Sequence, residues 1–241
     1  MSNRSELAAA FRRMHREPPI LVLPNAWDVA SAKALARIDG CRALATTSAA
    51  VARSLGWEDG ERAPVAEMVE AARRIAAAVD LPVTADLERG YGDPVGTARA
   101  AWAAGLVGIN FEDSTRAGLV DVGEQVEAIR AIRGAVPELV INARVDVFLG
   151  IGRGDVPEAA ERANAYLAAG ADCAYPILAP NESIAALAHR IDGPINVLVQ
   201  RGTPSPAELQ ELGVARITWG SGLESLAYDE AVRVAAAALA G

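Results

Sequence analysis

Asp86 and Glu88 stand two residues apart in Asp86-Leu87-Glu88-Arg89-Gly90-Tyr91-Gly92, directly after the apolar run Leu81-Pro82-Val83-Thr84-Ala85. If that run is a buried strand, alternation puts both carboxylates on one face, roughly 6 to 7 Å apart. Gly90 and Gly92 then permit the tight turn that ends it. Two carboxylates in one cavity repel each other and retain protons unless a cation lies between them. An oxygen-seeking divalent ion is therefore the first chemistry this stretch suggests. On an exposed edge the same pair would be ordinary solvated charge, so the rest of the chain must decide.

Eight short apolar runs alternate with alanine-rich helical patterns: 20–24, 43–47, 82–86, 108–112, 139–143, 172–176, 195–199 and 215–219. Strand followed by helix, eight times over, is the pattern of a (β/α)8 TIM barrel in a single domain, with a short helical extension over about residues 1–18 ahead of it. An open doubly wound sheet is the alternative. Gly40, Gly105, Gly170 and Gly213 close the helices before the even-numbered strands, and Pro19, Pro82, Pro137 and Pro194 lead into the odd-numbered ones. Asp93-Pro94 and Ser205-Pro206-Ala207-Glu208 mark helix starts.

The chain has 241 residues, 51% of them hydrophobic, enough for one sizeable core, and no low-complexity block divides it. Neither a signal peptide nor an apolar run of membrane-spanning length is expected, so the protein should be cytoplasmic. A net charge of -8 argues against nucleic acid and anionic membrane as partners. Two cysteines, Cys41 and Cys173, are too few for a disulfide framework or a thiolate metal site.

Barrels place their functional groups at the carboxyl ends of the strands. The candidates there are Asn25, Trp27 and Asp28; Thr46, Thr47, Ser48 and Ala49, with Asp59 further along that loop; Asp86 and Glu88; Asn110, Glu112 and Asp113; and Asn142, Arg144 and Asp146. Asp28 and Asp93 read as helix caps. Lys33, the only lysine, lies in the first barrel helix, and His15, His189 and both cysteines fall away from this end. Carboxylates, hydroxyls, backbone N–H groups and Arg144 remain. Such a set can support a metal-held enolate. Arg144 would neutralise a substrate carboxylate or phosphonate through a bidentate contact.

The ordered set Pro24-Asn25-Ala26-Trp27-Asp28, Thr46-Thr47-Ser48, Leu55-Gly56-Trp57-Glu58-Asp59, Asp86 to Gly92, Gly108-Ile109-Asn110-Phe111-Glu112-Asp113 and Asn142-Ala143-Arg144 resembles the isocitrate lyase / phosphoenolpyruvate mutase superfamily. The resemblance implies a barrel that binds Mg²⁺ or Mn²⁺ with an α-oxo acid and makes or breaks a C–C or P–C bond beside the carbonyl. It assigns the ion to Asp86, Glu88 and Glu112, the oxo-acid end to backbone N–H groups of Thr47, Ser48 and Ala49, the vicinity of the reacting group to Asp59, and a carboxylate to Arg144. It also implies a homo-oligomer, a dimer or tetramer, in which a C-terminal helix is exchanged. Two departures stand out. Glu88 replaces the family's usual aspartate, and Ser114-Thr115-Arg116-Ala117-Gly118 replaces the lyases' cysteine-bearing loop. The leading expectation is C–C cleavage of a small 2-oxo or 2-hydroxy (di)carboxylate, with catalytic roles for Asp59, Glu112 and Arg144. Phosphonopyruvate hydrolase or phosphoenolpyruvate mutase chemistry is the first alternative, and a barrel that binds an oxo acid without turnover is the second.

Overall fold

Short runs of small and branched apolar residues form parallel strands in the computed structural model, which describes residues 4–240. The strands are β1 (Leu21–Leu23 and Asn25–Ala26), β2 (Leu44–Thr46), β3 (Val83–Asp86), β4 (Gly108–Glu112), β5 (Val140–Val145), β6 (Cys173–Pro176), β7 (Asn196–Leu198) and β8 (Arg216–Thr218). Pro24 has no N–H to give, and the strand divides there. Leu21–Leu23 pair with β8, whereas Asn25–Ala26 pair with β2. From β2 the ladder runs through β3, β4 and β5 to β6, an Ala174–Ile195 bridge leads to β7, and β7 pairs with β8. The ring is closed, so the expected (β/α)8 barrel forms rather than an open sheet.

The layer of helices begins largely where capping chemistry sets it. Asp28 and Ser205 make capping boxes at the helices Val29–Leu35 and Pro206–Glu211, and Asp93 caps Pro94–Ala103. Two boundaries differ from the sequence reading. β5 runs on to Val145, which places Arg144 inside a strand and so fixes its direction. After β2 the chain forms two helices, Ser48–Ser54 and Val65–Ala77, and Asp59 lies in the turn between them.

Helix Arg4–Met14 closes the amino-terminal end of the barrel. Its buried Ala8 and Phe11 pack on Leu21, Leu23, Ala43, Ala45, Val107 and Val140. Burying a phenylalanine in this way contributes about 2 kcal/mol. Gly108 makes the fit possible, since a Cβ there would stand 3.2 Å from the Phe11 ring and 2.9 Å from the Val140 carbonyl oxygen. Arg12 fastens the helix by donating to Asp172 at 2.7 Å and to the Glu138 carbonyl at 3.0 Å. At the other terminus, helix Gly222–Leu239 buries only Glu224, which a forked contact from Arg53 holds at 3.1 and 2.7 Å. Among the described residues no helix is long and apolar enough to cross a membrane.

Candidate active site

Strand register sets the side chains of the barrel mouth in two tiers. Asp86, Asn110 and Asn142 are neighbours across β3, β4 and β5, and one step further out Glu112, Arg144 and Tyr175 are neighbours across β4, β5 and β6. The lower tier is knitted by the Asn142 amide, which donates to Asn110 Oδ1 at 2.8 Å. Asn25 ties the ends of β2 and β8, which do not pair with each other, because its amide donates to the Thr46 carbonyl at 2.9 Å and its oxygen accepts from the Trp219 N–H at 2.8 Å.

Asp86 is the best-anchored acid. Its backbone N–H donates to Thr46 Oγ1 at 3.0 Å, and its Oδ2 accepts from the Ser48 N–H at 3.1 Å and the Ser48 hydroxyl at 3.0 Å. The expected Thr47–Ala49 segment is thus strapped to Asp86, with Thr47 as the N-cap of the short helix. Asp86 Oδ1 is buried and has no partner. A carboxylate oxygen in that state is costly unless something polar reaches it.

Glu88 departs from the alternation argument. β3 ends at Asp86, and Glu88 adopts a left-handed backbone with φ of 50°. Its direction is set instead by two contacts, the Tyr91 hydroxyl at 2.7 Å and the Glu61 N–H at 2.6 Å. Glu112 lies against Arg144 in a close ion pair. Asp86 and Arg144 line a cavity of about 220 Å³ that also receives Asp59, Tyr175 and Thr218. Glu88 and Glu112 line a wider one of about 650 Å³, with Arg62, Thr115 and Arg116. Asp59 is exposed at the rim. Among the described residues no three acids, histidines or cysteines are grouped as a ready-made metal cage.

The acids nevertheless feel one another. Burial pushes Glu88 up to about 7, with Asp59 and Asp86 adding repulsion against the pull of the Tyr91 hydrogen bond. Burial also holds Glu112 well above the usual carboxylate range, opposed by Arg144 and reinforced by Asp86, Asp146 and Glu88. For Arg144, burial works against the charge, but Glu112 and Asp146 more than offset it and push the pKa up. An oxygen donor set that is buried, mutually repelling and led by one unpartnered oxygen fits a hard dication. Mg²⁺ in particular is commonly held by one or two carboxylates while keeping several waters, which suits Asp86 as direct donor with Glu88 and Glu112 beyond.

Sequence reasoning named Asp146 as a strand-end candidate without giving it a role, and passed over Tyr175. Asp146 is fully buried and grips Arg144 through both oxygens at 2.6 and 2.9 Å. It is itself held by the Ser114 hydroxyl and by its own N–H donating to Asp113 Oδ1 at 2.8 Å. Its signal was present in the period of two that links Asn142, Arg144 and Asp146. Tyr175 gave a similar signal, as a phenol at the end of an otherwise apolar strand.

Comparison with known proteins agrees with the fold. The family model described as phosphoenolpyruvate phosphomutase matches residues 11–239. A 2-methylisocitrate lyase of Bacillus subtilis is 33% identical over 208 residues, covering 80% of this chain and 67% of its own. A 2,3-dimethylmalate lyase of Eubacterium barkeri is 31% identical over 232 residues, covering 86% and 77%. The crystal structure of a Burkholderia cenocepacia protein, provisionally called a phosphonomutase, superposes with a TM-score of 0.86 at 40% identity, covering 98% of this chain and all of that one. The chain belongs to the isocitrate lyase / phosphoenolpyruvate mutase superfamily.

Proposed function

We propose that the protein is a divalent-cation-dependent carbon–carbon lyase acting on a small 2-hydroxy or 2-oxo dicarboxylate. The observation that carries this reading is the pairing, in one cavity, of the unpartnered Asp86 Oδ1 with the Arg144 guanidinium. Asp86, assisted by Glu88 and Glu112, would hold Mg²⁺ or Mn²⁺, and the chemistry expected of the ion is Lewis-acid stabilisation of negative charge on a substrate oxygen. Arg144, held rigid by Asp146, receives a substrate carboxylate. The start of helix Ser48–Ser54 offers backbone N–H groups beside it. Asp59 takes the proton of the substrate hydroxyl as the C–C bond opens. The second carboxylate of the substrate extends into the wider cavity, where Arg62 and Arg116 supply positive charge. Relatives named as 2-methylisocitrate lyase and 2,3-dimethylmalate lyase support this class. Release of pyruvate or glyoxylate from a panel of malate-type acids, with and without EDTA, tests it. Absence of any chelator-sensitive release would remove it.

A second reading, cleavage or rearrangement of a P–C bond, is favoured by the Thr115 hydroxyl and Arg116 in the wider cavity, which suit a phosphonate. Phosphorus NMR of phosphonopyruvate incubated with the protein decides between the two. We further propose a homo-oligomer built on the last helix, whose Leu226 and Val232 are 64% and 67% exposed. Light scattering of Leu226→Glu against the unaltered protein tests this, with a smaller particle expected for the variant.

A further inference from the structure

C–C cleavage leaves a carbanion that must be protonated, and the loop after β4, Ser114 to Gly118, carries neither cysteine nor histidine for that step. The central cavity is lined by a restricted set of titratable groups: Asp59, Asp86, Arg144 and Tyr175. Asp86 has its role in holding the ion, Asp59 stands at the exposed rim, and Arg144 stays charged. Tyr175 is different in kind, because a neutral phenol carries a proton it can give.

Its placement follows from the strand. Tyr175 is the register neighbour of Arg144, as Arg144 is of Glu112, so all three side chains stand in the same inward tier. The residue is buried, and the Thr218 hydroxyl, two strands away on β8, hydrogen-bonds its phenol. Arg144 and Asp86 are both close enough to act on it electrostatically. A substrate carboxylate seated on Arg144 therefore brings its adjoining carbons against the phenol.

We propose that Tyr175 is the catalytic acid that protonates the departing carbon after C–C cleavage, an assignment that rests on the lyase reading above. The atoms balance as follows. The substrate hydroxyl gives its proton to Asp59, its oxygen becomes the carbonyl of the oxo-acid product, and the C–C electron pair stays with the departing carbon. That carbon takes the phenolic proton of Tyr175, forming a new C–H bond. Water accepts the proton from Asp59 and returns one to the phenolate, so nothing is oxidised or reduced. Burial keeps the phenol protonated, with its pKa pushed up to about 12 against the opposing pull of Thr218 and Arg144. A general acid in this position contributes about 10²- to 10⁴-fold to rate.

The test compares Tyr175→Phe with the unaltered enzyme in three measurements: cleavage of malate-type acids with Mg²⁺, calorimetric binding of oxalate with Mg²⁺, and thermal melting. Oxalate has the shape of the oxo-acid end and accepts no proton at carbon. The proposal expects kcat to fall at least about 10²-fold, with KM, oxalate affinity and melting temperature close to those of the unaltered enzyme. In D₂O the unaltered enzyme places deuterium on one face of the new C–H carbon, and the variant loses that selectivity. Equal kcat in the two proteins overturns the assignment, as does a variant whose oxalate affinity or melting temperature falls with its rate, since the phenol would then be a structural prop. An unaltered protein that cleaves none of the acids overturns the lyase reading itself, and this assignment with it.

Discussion

At the closed end of the barrel the buried Arg216 guanidinium faces His15 at 3.5 Å and Asn110 at 3.4 Å, while at the open end Arg144 lies between Glu112 and Asp146 beside two cavities. Desolvation acts on both ends, with opposite outcomes. Below, the Arg4–Met14 plug covers His15 and Arg216, which are both buried, and His15 also lines a cavity of about 500 Å³ at that end. Burial, with Arg216 adding repulsion, lowers His15 to about 3, so the imidazole stays neutral. Above, the crowded groups are acids, and burial raises Glu88 and Glu112 instead. The lower end sheds the histidine's charge, and its one unpartnered atom is the Arg216 Nε, a donor that no cation could satisfy. The upper end retains repulsion that a cation would relieve, and this asymmetry separates a packed core from a binding site.

Four substitutions sharpen that contrast. Asp86→Asn should have the largest effect, removing the one buried unpartnered carboxylate oxygen at the mouth. Turnover should fall by about 10³-fold, with Mg²⁺ affinity measured by calorimetry falling alongside it. Arg144→Ala should lower turnover by about 10²- to 10³-fold. It should also cost about 3 kcal/mol in denaturant unfolding, because Glu112 and Asp146 are left buried without their counter-charge.

His15→Gln tests the closed end. A histidine whose pKa is depressed by folding binds its proton only on unfolding. The stability it protects is therefore complete above pH 6.5 and is lost as pH falls toward about 3. Between pH 7 and pH 5 this is worth about 2 kcal/mol, so the variant's urea-unfolding free energy should decline less over that interval than the unaltered protein's. If the two decline in parallel, the closed end is wetter than its packing implies.

Glu88 gives the smallest effect. With its pKa near 7, protons compete with the cation below neutrality. Mg²⁺ affinity should be about tenfold weaker at pH 6 than at pH 8, and Glu88→Gln should flatten that dependence. The carboxyl also binds protons more tightly folded than unfolded, so its contribution to stability declines as pH rises from about 4.5 through 7. The same variant should therefore melt higher than the unaltered protein at pH 8 without metal.

Much of this molecule was legible in the chain because the relevant signals are local. Buried strands read as apolar runs, Gly105, Gly170 and Gly213 do take left-handed backbones after their helices, and Asp86 and Arg144 are placed by strand parity. Glu88 was misdirected because parity was carried two residues past the point where β3 stops. The polar interior was missed for a different reason. Thr84 and Arg216 each have a buried atom without a partner, inside strands that look apolar on average. Only alternation within β8, Arg216 with Thr218, hinted that its inward face was polar. Contacts between remote segments, such as Arg12 with Asp172 or Arg53 with Glu224, leave no local trace.

The plug has a consequence for how the chain is made. Arg12 closes on Asp172, 160 residues further along, and Phe11 seats against strands as far along as β5, through Val140. Closing so long a loop requires that the strands in between already exist. During synthesis helix Arg4–Met14 has no seat until most of the barrel that follows it has emerged. That helix is thus among the last parts of the barrel to be locked in place.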